Sequence, residues 1–306
     1  MAEETVDLAI PQVDPHTVAK PRVWHLFVLF GLAQVLILVA SVIGIGVVAA
    51  IRADDVLPSD ADQLPAARFE ELATSPEVML FSLVCGVVVC TGLALLVGAF
   101  SPQPFAERLR LRSGRLSAVE LAVASIGFLA LSNASDAILR LLPGYDDSGI
   151  AHFNQFFQGR GGAALWLTIA LVGVAAPVGE ELFYRGALQT RFAERFGRRA
   201  GLVVASVAFA LAHFEPIHML FALVAGLYVG WLCDLAGSCR ASLAAHSVNN
   251  TAAAVAAAWM PSFEGASTTV PVAAASIVLA TASTSWLWGR TRDRPIPSAN
   301  GLARSA

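Results

Sequence analysis

Two adjacent glutamates and an arginine stand at the end of an apolar stretch. The sequence AALWLTIALVGVAAPV is followed by GEELFYR, which places Glu180, Glu181 and Arg185 in a run otherwise suited to a bilayer. A charge at the centre of a membrane helix costs roughly 2.5–3.5 kcal/mol even on a lenient insertion scale. Charges at this depth therefore indicate a functional site, a buried ion pair, or both.

Helical spacing separates these two interpretations. Glu181 and Arg185 are four residues apart with the glutamate first, which is the favourable order for an ion pair on one helix. We therefore predict that they give structural support. Adjacent residues on a helix differ by about 100°, so we expect Glu180 and Glu181 not to point at one site. Glu180 is then left without a partner on its own helix and is free to face a cavity.

Two further polar clusters lie in apolar runs: His213 in FALAHF, and His246 with Asn250 in SLAAHSVNN. His246 and Asn250 are four residues apart and share a helix face. Seventeen residues separate Glu180 from Gly197, the predicted turn, and sixteen separate Gly197 from His213. A helical hairpin would therefore bring Glu180 and His213 to the same depth, roughly 25 Å from the turn.

These side chains are suited to hydrolysis. Glu180 is a candidate general base for a water molecule, with His213 orienting that water or sharing its proton. His246 and Asn250 are candidate N–H donors to a tetrahedral oxyanion. Glu180, His213 and His246 also resemble the three protein ligands of a catalytic zinc, although the HExxH motif is absent. Two alternatives therefore stay open: a site without a cofactor, and a site with a divalent metal such as zinc.

A non-enzymatic interpretation uses the same residues. A buried acid and two histidines can relay protons in a transporter, or they can belong to a non-proteolytic immunity or scaffold protein. We find no internal repeat of the kind that builds many transporters from two halves, which weighs against that alternative. A cleavage assay that compares the unmodified protein with Glu180→Ala would separate the two classes.

The amino-acid composition indicates that this chain lies in a lipid bilayer. Hydrophobic residues make up 56% of the 306 residues and charged residues 14%, with a mean hydropathy of +0.66. Soluble domains carry about 25% charged residues, so we predict an all-α polytopic membrane protein with about eight transmembrane helices. The predicted spans are 23–51, 77–100, 118–142, 163–185, 200–214, 217–236, 240–258 and 269–289. The net charge of −3 argues against a nucleic-acid partner.

The basic residues predict orientation. Arginines cluster in the loops after spans two, four and eight, and Lys20 and Arg22 precede span one. The alternate loops are acidic or sparse in charge. By the positive-inside rule we expect both termini to be cytoplasmic, in the cell membrane of a bacterium, with tails at 1–21 and 291–306. The lipid bilayer and a membrane-associated peptide or protein are the expected partners.

Other small or polar residues receive structural interpretations. We expect a capping box at Ser117 and Glu120, an ion pair between Asp136 and Arg140, and a close helix contact at the GxxxG motif of Gly226 and Gly230. We expect Pro177 to free a carbonyl, and Glu215 and His218 to lie in a solvated or half-buried loop. The cysteines are expected to be free thiols, namely Cys85, Cys90, Cys233 and Cys239.

Three of these segments together resemble a known family. EELFYR, FALAH and HSVNN are similar, in order and spacing, to the EExxxR, FxxxH and HxxxN motifs of the CAAX-protease and bacteriocin-processing (Abi) family of intramembrane proteases. The resemblance covers about residues 163–258. It implies a catalytic helical core at 161–290, behind N-terminal transmembrane helices at 22–160 that carry no recognisable motif.

The resemblance also implies roles. Glu180 and His213 become the water-activating pair, His246 and Asn250 the oxyanion side, and Glu181 and Arg185 the support. It implies an endopeptidase whose cavity opens toward the cytoplasm, which agrees with the charge rule. Family members have been described both as metalloproteases and as metal-independent glutamate proteases, and some cut prenylated CAAX proteins. The resemblance therefore leaves the metal and the substrate open.

Overall fold

Every regular element in the described part of the chain is helical, which confirms the all-α class. The computed structural model describes residues 22–51, 71–73, 75–151, 157, 161–259 and 266–295. The predicted tails, at 1–21 and beyond residue 295, lie outside these residues. Eight long helices are described, and we number them in chain order. They are α1 (Trp24–Ile51), α2 (Pro76–Ala99), α3 (Ala118–Leu139), α4 (Gly162–Phe196), α5 (Arg198–Leu211), α6 (Pro216–Ala236), α7 (Cys239–Trp259) and α8 (Ala266–Thr291).

Six of these helices, namely α1, α2, α3, α4, α6 and α8, are long and apolar enough to cross a membrane. The molecule is therefore a polytopic membrane protein. Helix α5 was predicted as a span but has only 14 residues. Helix α7 is long enough, but it carries His246, Asn249 and Asn250 and is less apolar. The two helices that fall short as independent spans are thus helices that carry, or lead into, the candidate site.

The central helices are α3, α4, α6 and α7. Helix α3 packs against α6, α7 and α8, helix α4 against α2 and α7, and helix α5 against α6. Helix α1 packs mainly on α2 and exposes large apolar side chains, among them Phe27, Val35, Leu38, Val42 and Val47. Such a surface is suited to contact with lipid and would be unfavourable in water.

Helix α4 is irregular on both sides of Glu180. It contains two π-helical stretches, Leu171–Ala175 and Glu181–Gln189. In the first stretch the bond from residue i to i−5 would require an N–H on Pro177, which has none, so the Val172 carbonyl is freed. The Val172 oxygen accepts from the Asn250 amide nitrogen at 3.5 Å. This contact agrees with the expectation that Pro177 frees a carbonyl.

Helix α4 also continues to Phe196, well past the predicted end at residue 185. Gln189, the first polar residue after Arg185, is buried among neighbouring helices and does not end the helix. It donates from Nε2 to the Gly230 carbonyl oxygen at 2.9 Å. The chain then turns at Gly197, as predicted, with a positive φ of 93° that favours glycine.

The GxxxG motif of α6 allows close helix packing, as expected. A Cβ on Gly226 would lie 3.2 Å from the Phe209 ring of α5. A Cβ on Gly230 would lie 2.6 Å from Leu202 and 2.8 Å from Gln189. The two glycines therefore let α5 and the second π-helical stretch of α4 approach α6 closely.

Two other predicted contacts are present at opposite ends of α3. The capping box is formed, because the Ser117 backbone N–H donates to Glu120 at 2.9 Å and Glu120 returns a bond to Ser117 Oγ. At the far end, Arg140 Nε lies 2.8 Å from Asp136 Oδ2, and the Tyr145 hydroxyl donates to Asp136 Oδ1 at 2.5 Å. Burial, together with Asp136, raises the pKa of the Tyr145 phenol well above its ordinary value, so the phenol stays a donor.

The arginine clusters meet at one end of the bundle. We call this the arginine-rich end and define it by residues 105–116, the turns at Gly197 and Gly237, and Arg290–Arg294. There Arg110 pairs with Asp234 at 2.7 Å, Arg198 donates to the Asp234 carbonyl at 2.7 Å, and Arg294 pairs with Glu120 at 2.8 Å. The arginine clusters therefore lie at the same end of the molecule, as the distribution of charge among the loops predicted.

Candidate active site

One cavity of about 960 Å³ lies among the central helices. Its wall includes residues of α1 to α7 and of the turn between α5 and α6. All four residues predicted to be catalytic, Glu180, His213, His246 and Asn250, line it. The fold thus brings residues that are up to 70 positions apart in the sequence to one cavity.

The predicted ion pair next to the cavity is present. Arg185 Nη1 lies 3.2 Å from Glu181 Oε1, and both side chains are at most 1% exposed. Arg185 also donates from Nη2 to the Gly226 carbonyl oxygen at 3.2 Å and lies 4.6 Å from the centre of the Phe209 ring. The buried charges therefore have both an ionic partner and further contacts, as a low-dielectric setting requires.

Of the two adjacent glutamates, Glu180 lines the cavity and Glu181 pairs with Arg185, yet both also approach His246. Its Nδ1–H donates to Glu181 Oε1 at 3.0 Å, and its Nε2 lies 3.7 Å from Glu180 Oε2. An imidazole carries nitrogens on two edges, so carboxylates on different faces of α4 can meet through one ring. The wider π-helical turn that begins at Glu181 also departs from the α-helical angle assumed for the sequence.

His213 lies in the turn between α5 and α6, just beyond the helix end at Leu211. Its Nδ1 is 2.8 Å from the Phe209 carbonyl oxygen, which can only accept, so the proton is assigned to Nδ1. In the neutral ring, Nε2 then carries the lone pair. No hydrogen bond or ion pair joins His213 to Glu180, two residues that both lie within the described segment 161–259; they share the cavity wall.

Phe209 holds the two histidines in place. Its ring centre lies 4.9 Å from that of His213 and 6.1 Å from that of His246, both in edge-to-face geometry. Phe209 and His213 thus share a face, as their four-residue spacing predicted. Because Phe209 also contacts Arg185, one aromatic ring links the ion pair to both histidines.

Asn250 and its neighbour Asn249 both line the cavity. The Asn249 amide donates to Asn250 Oδ1 at 3.3 Å, and Asn250 is in turn oriented toward the Val172 carbonyl. Asn249 is 5% exposed, and its Oδ1 has no hydrogen-bond partner among the described residues. Sequence reasoning missed Asn249, although its position three residues after His246 places it near the same helix face.

His218 was also missed, since it was assigned with Glu215 to a solvated or half-buried loop. Glu215 in fact caps α6, accepting from the backbone N–H groups of Ile217 and His218 at 2.8 and 2.7 Å. His218 lies in the first turn of that helix, and its ring centre is 4.3 Å from that of His213. Pro216 at the helix start was the available signal, because proline is common at that position.

The possible metal ligands fit a metal only in part. Glu180 and His246 face each other, and the Nε2 of His213 is free of protein partners in the assigned tautomer. Among the residues that the structure describes, however, no three His, Cys, Asp or Glu side chains are close enough together to hold an ion. A three-ligand site at Glu180, His213 and His246 would therefore require side-chain movement.

The cavity reaches from the middle of the bundle toward the end remote from the arginine-rich end. On α3 and just after it the lining residues run from Phe128 to Arg140, and on α7 they run from His246 to Ala257, in both cases away from the arginines. The long hairpin accounts for this position, because it places the site many residues from the Gly197 turn. The side of the membrane toward which the cavity opens stays a prediction.

Fold and site together define an integral membrane protein with a buried polar cavity that holds a carboxylate and two histidines. Residues 162–252 match the family model described as type II CAAX prenyl endopeptidase Rce1-like. The matched segment runs from the start of α4 into α7 and contains all four candidate catalytic residues, and it confirms the resemblance drawn from the three motifs. No curated protein and no solved structure matches the chain.

Proposed function

We propose that the protein is an intramembrane endopeptidase that hydrolyses peptide bonds of membrane-associated substrates with a water activated by Glu180 and His213. One observation supports this proposal above the others. Of two adjacent glutamates on α4, Glu181 is buried and paired through Oε1 with Arg185 and His246, whereas the Glu180 side chain is 26% exposed and lines the cavity. A carboxylate kept open beside an imidazole suits general base catalysis.

Water activation would use two proton acceptors. Glu180 offers a carboxylate oxygen, and His213 offers the lone pair of Nε2, because its Nδ1–H is bonded to the Phe209 carbonyl. A water between them would lose a proton to Glu180 as its oxygen attacks the peptide carbonyl carbon. His213 orients that water, and Phe209 fixes the ring.

The other side of the cavity would stabilise the tetrahedral intermediate. His246 is held through Nδ1–H by Glu181, so it can also donate from Nε2, toward Glu180 and the reacting carbonyl, only in its imidazolium form, which the proposal therefore requires. Asn250 adds an amide N–H, of which only one is directed at Val172. These donors would accept the negative charge that develops on oxygen. When the C–N bond breaks, the amine takes the proton from Glu180, and the products are a carboxylic acid and an amine.

The proposal routes no step through a metal ion. If a divalent ion binds, Glu180, His213 and His246 are the residues that would hold it, and it would polarise the water or the carbonyl. We expect protein purified in EDTA to keep its peptidase activity and to contain less than one equivalent of zinc by elemental analysis. Loss of activity in chelator, with recovery on adding zinc, would replace the metal-free mechanism.

The test of function uses purified protein in lipid nanodiscs and a mixture of quenched fluorogenic peptides of random sequence. We expect cleavage by the unmodified protein and none above background by Glu180→Gln. Glu194→Gln is the matched control, since it makes the same change on the same helix at the arginine-rich end. Equal cleavage by all three proteins would remove Glu180 from the reaction.

The proton-relay alternative makes a different prediction for the same variants. A transporter would show no peptide cleavage, and Glu180→Gln would instead change proton flux in liposomes that carry a pH-sensitive dye. Flux that depends on Glu180, without cleavage by the unmodified protein, would favour that alternative.

A further inference from the structure

We infer that the substrate reaches the site from the membrane face opposite the arginine-rich end, which the charge distribution makes the extracytoplasmic face. That the molecule entering the cavity is a substrate rests on the proposed function, but the access route is a property of the fold. The access route limits which peptides can be substrates. The cavity would receive peptide segments exposed at, or emerging into, the outer leaflet, and it would not receive cytoplasmic C-termini.

The first observation is that the route from the arginine-rich end is closed. Between His246 and that end lies a layer of side chains that are each at most 1% exposed: Leu109, Cys233, Ser238, Cys239 and Ser242. The layer is tied together, because the Cys239 N–H donates to the Arg110 carbonyl at 2.9 Å and Ser238 Oγ donates to the Arg112 carbonyl at 2.7 Å.

Backbone packing closes the same side. A Cβ added to Gly186, one residue after the buried Arg185, would lie 3.1 Å from the Leu109 carbonyl oxygen. The segment 105–116 therefore lies directly against α4 and over the turn between α6 and α7. This arrangement also sets α7 below the arginine-rich surface, so that His246, only two turns along its helix, reaches the depth of Glu180.

The second observation is the direction of the cavity. On α3 the lining residues extend from roughly 15 Å to roughly 33 Å from Ala118, the end of that helix nearest the arginines. On α7 the lining begins at His246 and continues to Ala257, toward the same remote end. The last lining residues of α3, Asp136 and Arg140, have side chains that are each 31% exposed. The cavity is therefore open at the end remote from the arginines.

The third observation is the distribution of charge, which distinguishes the cytoplasmic face from the outer face. At the arginine-rich end the side chains of Arg112, Arg290 and Arg292 are 65, 57 and 60% exposed. At the cavity end, Asp146 and Asp147 are exposed. Positively charged loops near membrane helices are retained in the cytoplasm, so the cavity end is the outer one.

Access can be tested without any substrate. In a parent that carries Cys85→Ala and Cys90→Ala, we would introduce Asn133→Cys in the cavity, Asp147→Cys at the cavity end, or Arg199→Cys at the arginine-rich end. Intact cells are then treated with a membrane-impermeant methanethiosulfonate. We expect Asn133→Cys and Asp147→Cys to react in intact cells, and Arg199→Cys to react only after permeabilisation. The reverse pattern would overturn the inference.

Cleavage provides the second arm. A peptide that the purified protein cuts is placed on a single-span reporter, either outside or inside the cytoplasmic membrane, and we expect only the outer reporter to be cut. Cleavage of the inner reporter alone would overturn the inference. Cleavage of neither reporter, together with outer labelling of Asn133→Cys, would leave the access route standing and count against proteolysis.

Discussion

The arginine-rich end and the cavity half of the bundle hold polar side chains in opposite ways. At the arginine-rich end the charges of Arg110, Asp234, Glu120 and Arg294 are joined in pairs at 2.7–2.8 Å. In the cavity half, Glu180 is 3.7 Å from its nearest ionic partner, and Asn249 Oδ1 has no partner among the described residues. A carboxylate that faces a cavity can be satisfied by water or by a ligand, so Glu180 needs no close protein partner.

The two glutamates of α4 show the same contrast within one turn of helix. Glu181 belongs to the packed half and forms an ion pair that is at most 1% exposed. Glu180 belongs to the cavity half. We draw from this that a charged residue in an apolar helix is informative only once its partner is known, because an ion pair and a catalytic group have the same sequence signature.

The largest effect should come from the pair that would activate water. Glu180→Gln and His213→Ala should each reduce turnover by about 10²–10⁴, the usual contribution of general base catalysis. The double variant should be little worse than either single variant, because both act on one water. Turnover of all three is measured with the fluorogenic peptides, and unfolding temperatures verify the fold. Multiplicative losses in the double variant would place the two residues in separate steps.

The next effect is on stability. Arg185→Leu or Glu181→Gln should each lower the free energy of unfolding by about 3–5 kcal/mol, because either change leaves a buried charge without its partner. The pair of changes made together should cost less than the sum of the single changes. Unfolding in detergent, followed by circular dichroism, measures the three values. Full additivity would show that the two side chains do not interact.

A smaller effect is expected at the oxyanion side. Asn250→Ala should reduce turnover by about 10²–10³, the range for loss of one donor to an oxyanion, with little change in KM. Ser117→Ala is a suitable control, because it removes a helix cap at the arginine-rich end and should cost only about 1 kcal/mol of stability. If Asn250→Ala raises KM and leaves kcat unchanged, Asn250 binds substrate and does not stabilise the intermediate.

Much of this arrangement follows from the sequence because it depends on period and charge. The apolar runs predicted the long helices, the four-residue spacing predicted the Glu181–Arg185 and Phe209–His213 contacts, and Gly197 predicted the hairpin. Each of these is a local property of one helix or one turn.

What the sequence missed is non-local. The meeting of both glutamates at His246 depends on a π-helical stretch and on the approach of α7, which no periodicity in α4 indicates. The cavity-facing positions of Asn249 and His218 depend on how α3, α5 and α6 pack around them. The closure of the arginine-rich end depends on segment 105–116, which lies against α4. Such features require the packed arrangement of several helices.

The most direct test of the account compares Glu180→Gln with Glu181→Gln in the same preparation. The two changes are chemically identical, adjacent in sequence, and made on side chains that contact the same imidazole. Turnover and unfolding temperature are measured for each. The account predicts that Glu180→Gln keeps the unfolding temperature and loses turnover, while Glu181→Gln lowers the unfolding temperature. An active Glu180→Gln, or a Glu181→Gln variant as stable as the unmodified protein, would contradict it.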